Sequence, residues 1–461
     1  MRLESEISRS GLFWIAGKET KLSGILTVQD GGRIELELVG VFHDDLGDFF
    51  ESPNIPRILG EVEKDGYVTL DNCFYLNRNI SLGGISKSRI FANFLYCGIH
   101  LEDTEPLLIT SFRFSIEGLD RWLRISGISV AHTLELENIT VSYKKLDPLV
   151  YQISDTMRLS INYSWTIPGS DFFKTATITH KNYFDLETDT PTDVNIFKKY
   201  AHQLSTFVGF AIDQNVSICD VTISSILITE EISPGKNRQV PIRLYYQAAN
   251  FLDKAPKIDD LDMLFQFSYV REDFGSCISE WFKAYEMVSP ALNLYFSTKN
   301  DAQKYIDGKF LALAQGLETY HRRTTNTQIM LDTEFKTILK TLLDICPEKW
   351  RDWLSGRLAH ANEITLRNRL RDLVSEFNPV FGDNDAVERF ISNIVDTRNF
   401  YTHYDDALRK RAVQGADLWP LCQKMEALFQ MILLKRIGSS KEKVIDFVQS
   451  SQRFQYKLRA K

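Results

Sequence analysis

Apolar residues alternate with polar ones through much of the first 243 positions, and from about position 259 they recur every three to four residues instead. Alternation at every second residue sets one face of a strand on a core and the other in water. Residues 34–39, 67–70, 108–114, 157–163, 175–179 and 221–228 carry this pattern and are read as strands, with turns at Asp30, Gly31 and Gly32 and at Asp65 and Gly66. One helix is predicted among them at 194–210, where Ile196, Tyr200, Leu204, Phe207 and Val208 fall at helical spacing.

Beyond position 259 the helical period persists almost to the end. Amphipathic helices are predicted at 273–288, 302–322, 332–345, 363–377, 385–401 and 417–436, and Pro347 and Glu348 are read as a connection. In the last of these helices Leu418, Leu421, Met425, Leu428 and Ile432 form one stripe, the mark of a helix packed in a bundle. The expected fold is therefore α+β and multidomain. A β-rich, sandwich- or barrel-like domain covers 1–258, with room for two subdomains divided near 145–195. An all-α bundle covers 259–437, and a basic, partly ordered tail covers 438–461.

A chain of 461 residues suits two or three domains, and 44% apolar with 25% charged residues is an ordinary globular composition. No run approaches the roughly 18 apolar residues of a spanning helix, and the first ten positions do not read as a signal peptide. A cytoplasmic protein with no membrane partner is expected. The six cysteines are far apart with no C-x-x-C pair and are read as reduced thiols. His43, His100, His132 and His180 share no spacing, so no metal and no cofactor is assigned.

The net charge of −7 is unevenly spread. Residues 1–300 hold 28 Lys and Arg against 40 Asp and Glu, or −12, and residues 301–461 hold 26 against 21, or +5. A basic half is compatible with phosphate contact.

The candidate chemistry lies in the helix at 385–401. Asp385 and Glu388 are read as its capping box. Its apolar stripe runs through Val387, Phe390, Ile391, Ile394 and Val395, and the next place on it is Arg398. A guanidinium there needs a partner, because an unpaired buried charge costs several kcal/mol. His403 follows five residues later, about 140° around an ideal helix, so the two side chains converge only if Arg398 folds over or the helix ends within the motif. An arginine can orient a scissile phosphate with its forked donors. A histidine can move protons to or from a 2′-hydroxyl and a leaving 5′-oxygen, and Asn399 could hold either group. Such chemistry yields a 2′,3′-cyclic phosphate and a 5′-hydroxyl. The same spacing also suits a structural arginine beside a solvent-facing histidine.

Other residues carry weaker expectations. Arg409, Lys410 and Arg411 could track an RNA backbone or form a plain solvated loop. Arg367, Arg369 and Arg371 are read as a solvated helix face. Glu318 and His321 could approach the Arg398 cleft or serve ordinary helix roles. Trp14, Trp122 and Trp165 are read as core of the β-rich domain.

Residues of roughly 265–437 resemble the ApeA-like branch of the HEPN superfamily, whose signature is Arg, a polar residue, three more residues and His. Arg398, Asn399 and His403 match it in order and spacing. Residues 278–282, 310–321 and 365–370 look similar too, and residues 11–14, 24–26, 34–42 and 119–122 look like the N-terminal domain paired with that bundle. The resemblance implies an anti-phage ribonuclease acting by abortive infection, with RNA as substrate, transfer RNA among the possibilities, and a phage protein as trigger. It also implies a homodimer or higher even oligomer in which two motifs face one cleft. A HEPN subgroup inactivated by modification carries Tyr two residues after the His; here that place is Asp405, with Tyr404 one residue after, so regulation of that kind is not expected. Two other readings compete. In one, the chain is a non-catalytic RNA- or protein-binding module that recognises a phage component. The other is a carbohydrate-active sandwich, for which no carboxylate pair stands out.

Overall fold

The computed structural model describes residues 1–42, 54–81, 84–102, 105–135, 137–169, 173–299 and 305–460. His43 and residues 302–304 of the predicted helix at 302–322 lie outside them. The chain divides into two compact units, Met1–Ser279 and Glu280–Lys461. The first thus extends some twenty residues past the change of period near 259.

In the first unit β1 (Ile7–Ile15), β2 (Leu22–Gln29), β3 (Arg33–Val39), β4 (Ile55–Val62), β5 (Gly66–Asn79) and β6 (Lys87–Cys97) are antiparallel neighbours in the order β6-β3-β2-β1-β4-β5. Pairing of β5 with β6 closes this set into a six-stranded barrel, which removes the exposed edges an open sheet would leave. Its alternating residues Phe13, Val28, Ile34, Leu36, Ile58, Val68 and Ile90 are fully buried. Gly60 leaves room for one of them, since a Cβ there would lie 2.6 Å from the Phe13 ring.

The barrel does not stand alone, because β6 is shared. Its first half pairs with β3, and its second half, Phe94 to Cys97, pairs with β16 (Ile242–Tyr246). From β16 the sheet continues through β13 (Ile218–Ser224), β7 (Leu108–Ile116), β12 (Thr179–Asp193), β11 (Met157–Thr166) and β10 (Leu149–Gln152). The interval 145–195, where a division was expected, is occupied by β10, β11 and β12, which hydrogen-bond into this same sheet. The predicted strand at 175–179 is irregular up to Thr179, because its neighbour β11 ends at Thr166 and offers no pairing beyond it. Two hairpins, β8 (Ile128–His132) with β9 (Ile139–Tyr143) and β14 (Thr229–Ser233) with β15 (Lys236–Gln239), pair only with themselves.

Helix α2 (Val194–Ile212) packs on β7, β12 and β13. The Asp193 carboxylate caps it by accepting from the Asn195 N–H. The short helix α1 (Leu119–Leu123) holds Trp122 in the core, where its indole N–H donates to the Phe265 carbonyl at 3.1 Å and its ring meets Phe207 and Phe267 edge-on. The other two tryptophans differ from the core reading. Trp14 is half-buried under the Lys21 ammonium, and Trp165 is 40% exposed, stacked on Tyr143 near the end of β11.

The helices are α3 (Phe274–Ser297), α4 (Ile306–Thr324), α5 (Asp332–Ile345), α6 (Glu348–Leu358), α7 (Leu366–Ser375), α8 (Asn378–Phe381), α9 (Asn384–His403), α10 (Asp406–Arg409), α11 (Leu418–Arg436), α12 (Lys441–Ser450) and α13 (Gln452–Arg459). A non-helical Val288, two residues before Pro290, kinks α3. Between Leu421 and Leu434 helix α11 is buried around most of its circumference, with Cys422, Ala427, Phe429, Met431 and Leu434 enclosed as fully as the predicted stripe. The cause is the segment expected as a basic tail. It forms α12 and α13, which bury Val444, Val448 and Phe454 and pack on α11. The connection read at 347–348 falls between α5 and α6, with Pro347 as the N-cap of α6 and Glu348 its first residue, and the two helices make a hairpin that buries no residue.

Candidate active site

Helix α9 starts two residues earlier than the capping box suggested. Asp383 is the N-cap, its carboxylate accepting from the Ala386 N–H at 2.7 Å. Val387, Phe390, Ile391 and Ile394 are buried as the stripe predicts, along with Thr397 and Phe400. Arg398 lies at the edge of this face, 36% exposed. Its guanidinium stands 3.7 Å from the Glu318 carboxylate of α4 and donates to the Asn399 side-chain oxygen at 3.3 Å. The partner that a guanidinium on this stripe requires is therefore present, though at the long end of ion-pair distance.

His403 is the last residue of α9, and Tyr404 ends the helix in the left-handed conformation, φ 51°, its N–H returning to the Phe400 carbonyl. The helix thus runs through the whole motif instead of ending inside it. Arg398 and His403 remain about 140° apart around the axis and about 7.5 Å apart along it by helix geometry. His403 is exposed and makes no hydrogen bond or ion pair among the described residues. Arg409, at the end of α10, and the following Lys410 and Arg411 are exposed too. This segment is tied back to α9 where the Val413 N–H donates to the buried Thr397 hydroxyl at 2.9 Å. The structure therefore gathers Arg398, Asn399 and Glu318, and leaves His403 and the three basic residues facing solvent.

Glu318 also accepts from Arg322 one turn along α4, at 3.2 Å. Arg322 in turn pairs with Glu363, which receives His360 at 2.8 Å and stands 3.6 Å from Arg369. Arg369 is 4% exposed, which corrects its reading as part of a solvated face; its neighbours Arg367 and Arg371 do reach polar partners at the surface, Ser392 and Glu388. The signal was available, because Arg369 shares the buried stripe of α7 with Leu370 and Leu373, a charge at an apolar place as Arg398 is on α9. Arg322, Glu363 and Arg369 line an open groove of about 400 Å3 with Thr325 and Gln328.

His321 turns away from Arg398. It is buried, and its Nδ1 accepts from Arg369 at 3.2 Å, so its Nε2–H donates to Asp372 at 3.1 Å. Burial holds its pKa below the ordinary value, opposed by Asp372 and aided by the Arg369 charge. It is a neutral linker in one tautomer. A groove of about 860 Å3 lies along another part of α9 past Arg389, Asn393 and Lys424 and contains none of the motif residues.

A closed barrel continued into an open sheet, with a separate helical bundle that presents an Arg–Asn–His motif at the end of its penultimate long helix, defines a two-part protein of the HEPN-bundle class. Family models agree on both parts: ApeA N-terminal domain 1 matches residues 8–281 and Apea-like HEPN matches residues 311–443. The chain belongs to the ApeA family. No curated protein and no solved structure matches it. At the level of the family this membership supports a nuclease-type role in anti-phage defence, and HEPN domains typically dimerise and bind RNA. No helix among the described residues is long and apolar enough to cross a membrane.

Proposed function

We infer that this chain is an endoribonuclease of anti-phage defence in which Arg398 and His403 perform metal-independent cleavage of RNA. Arg398 neutralises and orients the scissile phosphate, and Asn399 steadies the guanidinium it touches. His403 takes the proton of the 2′-hydroxyl or returns one to the leaving 5′-oxygen, leaving a 2′,3′-cyclic phosphate and a 5′-hydroxyl. The observation that carries this reading is the placement of an exposed histidine at the end of the helix whose half-buried arginine is held by Glu318. Neither group lies in an enclosed pocket, which suits a polymeric substrate.

Since one copy of α9 points its two groups in different directions, the reading pairs two copies, so that two motifs share one cleft. The protein would work in the cytoplasm, where cleavage of cellular RNA, transfer RNA among the candidates, halts translation and aborts infection. The barrel-containing unit would sense a phage protein or restrain the nuclease until infection. Its acidic balance favours a protein partner over RNA there.

Incubating purified protein with RNA and with the same sequence as DNA tests the chemistry. RNA is cut and DNA is not, and Arg398→Ala and His403→Ala each slow cleavage by about 100-fold or more. Variants that cleave like the parent would leave the bundle as a binding module.

A further inference from the structure

The hairpin of α5 and α6 carries apolar side chains along both helices and yet buries no residue. Its half-buried side chains, Phe335, Leu339 and Leu343 on α5 and Leu354 and Leu358 on α6, set the seam between the two antiparallel helices, and the Arg351 guanidinium donates across it to the Leu343 carbonyl at 3.1 Å. Ile338, Leu342 and Ile345 lie about 90° round α5 from that seam, and Trp350 and Trp353 lie about 90° round α6. The two turns have the same sense along the chain, and since the helices run in opposite directions both sets come to one face of the hairpin. These five side chains are 39–75% exposed, and the two indoles meet edge-on at 6.2 Å. A buried aromatic side chain hides roughly 150–250 Å2, so two half-exposed indoles and three aliphatic side chains offer several hundred Å2, the order of the roughly 800 Å2 per partner that a stable interface covers. Monomers rarely leave so large an apolar patch in water.

The face ends in two opposite charges. Glu334 lies one turn before Ile338 and Arg357 one turn after Trp353, both at the end where the hairpin joins the bundle, and neither makes an ion pair or hydrogen bond among the described residues. Turning a second copy by half a revolution about the long axis of the hairpin lays α5 of each copy on α6 of the other. Ile338 then meets Trp353 of the second copy, Leu342 meets Trp350, and Glu334 meets Arg357. A patch whose apolar and charged places match themselves under a two-fold axis fits another copy of the same chain. The same half-turn keeps both hairpin roots at one end. The root is closed by Asn362, whose side chain accepts from the Met330 N–H at 3.0 Å and donates to its carbonyl at 3.1 Å. Next to it stands Glu363, the start of the ion-pair chain that runs through Arg322 and Glu318 to Arg398.

We propose that this hairpin is the arm through which two copies of the chain join, α5 of each arm packed on α6 of the other in a four-helix bundle. The proposal rests on the two-copy arrangement of the nuclease reading and adds the surface that holds the copies together.

Sedimentation of the full chain over a range of concentrations tests the arm without RNA. The parent is expected to be dimeric, and Trp350→Ser combined with Trp353→Ser to raise the Kd of the dimer by about 100-fold or more. Neither tryptophan is part of the bundle core, so the far-ultraviolet circular dichroism of this variant should match the parent. Glu334→Arg and Arg357→Glu should each weaken the dimer by about tenfold or more, and mixing the two variants should restore it, which a role within one chain cannot do. A monomeric parent overturns the arm and leaves the face to a helix of another protein. A dimer undiminished by the tryptophan changes, or charge variants that stay apart on mixing, overturns it too. A parent that pairs through the arm and yet cuts no RNA leaves the arm standing and overturns the nuclease reading alone.

Discussion

The Glu318 carboxylate on α4 stands between two guanidinium groups, 3.7 Å from Arg398 on α9 and 3.2 Å from Arg322 on its own helix. Arg398 thus shares its carboxylate partner with Arg322, which leads away through Glu363 to Arg369.

Removing this carboxylate should therefore act on turnover before stability. Glu318→Gln is expected to lower kcat by about tenfold with little change in KM, because the phosphate site remains but the arginine is no longer held. The half-exposed pair itself contributes under about 1 kcal/mol to folding, so the melting temperature should stay within a few degrees. Equal loss in kcat and stability would make Glu318 an ordinary packing residue.

Two of the three histidines of the helical unit, His321 and His403, should behave oppositely. His321, neutral and fixed between Arg369 and Asp372, takes no part in proton transfer, and His321→Gln should keep cleavage within a few-fold of the parent. His403→Gln should abolish it. Single-turnover rates of the two variants on one RNA check this, and a larger loss at His321 would move the chemistry to the other end of the network.

Arg409, Lys410 and Arg411 follow the motif on a segment tethered through Thr397. If they meet the backbone of a single-stranded RNA, replacing all three with Ala should weaken binding and reduce the slope of log K against log salt by about 2, at roughly 0.7 per phosphate contact. An unchanged slope would place them in plain solvent.

The centre of the bundle carries its own prediction. Glu426 on α11 is fully enclosed, 2.6 Å from Lys299, 2.6 Å from Lys457 of α13 and 3.2 Å from Lys309 of α4. Burial alone would raise its pKa, but the three ammonium groups outweigh burial and hold it well below the ordinary value of 4.5. A depressed folded pKa gives stability that is complete above 4.5 and is lost as pH falls through the folded value. Glu426→Gln should thus cost about 3–5 kcal/mol at neutral pH by leaving buried cations uncompensated, and should flatten the loss of stability below pH 4.5. Denaturant melts of both proteins between pH 3 and 7 check the sign and the size.

Much of this was legible in the sequence, and the exceptions share a physical cause. The predicted helix at 332–345 matches α5 end for end, and the strand at 34–39 differs from β3 by one residue, because each carries its own periodic pattern. Helix α6 has a much weaker apolar stripe than α5 and left little to read. Helices α12 and α13 are short, and what ties them to the bundle, Val444, Val448 and Phe454 packed inward and Lys457 against Glu426, joins groups from separate helices that no local pattern connects. At the candidate site the charged residue on an apolar stripe was readable at Arg398 and equally at Arg369. The choice of Glu318 over His321 as Arg398's neighbour was not, since it depends on how α4 is rotated against α9.

The most direct test of the central claim is to sequence RNA ends bearing 2′,3′-cyclic phosphate or 5′-hydroxyl from phage-challenged cells expressing the intact chain or its His403→Ala form. New ends at defined sites in the intact chain that vanish with the substitution are the predicted result, and they also identify the RNA. Identical ends in both, with phage protection retained by both, would contradict a nuclease built on Arg398 and His403.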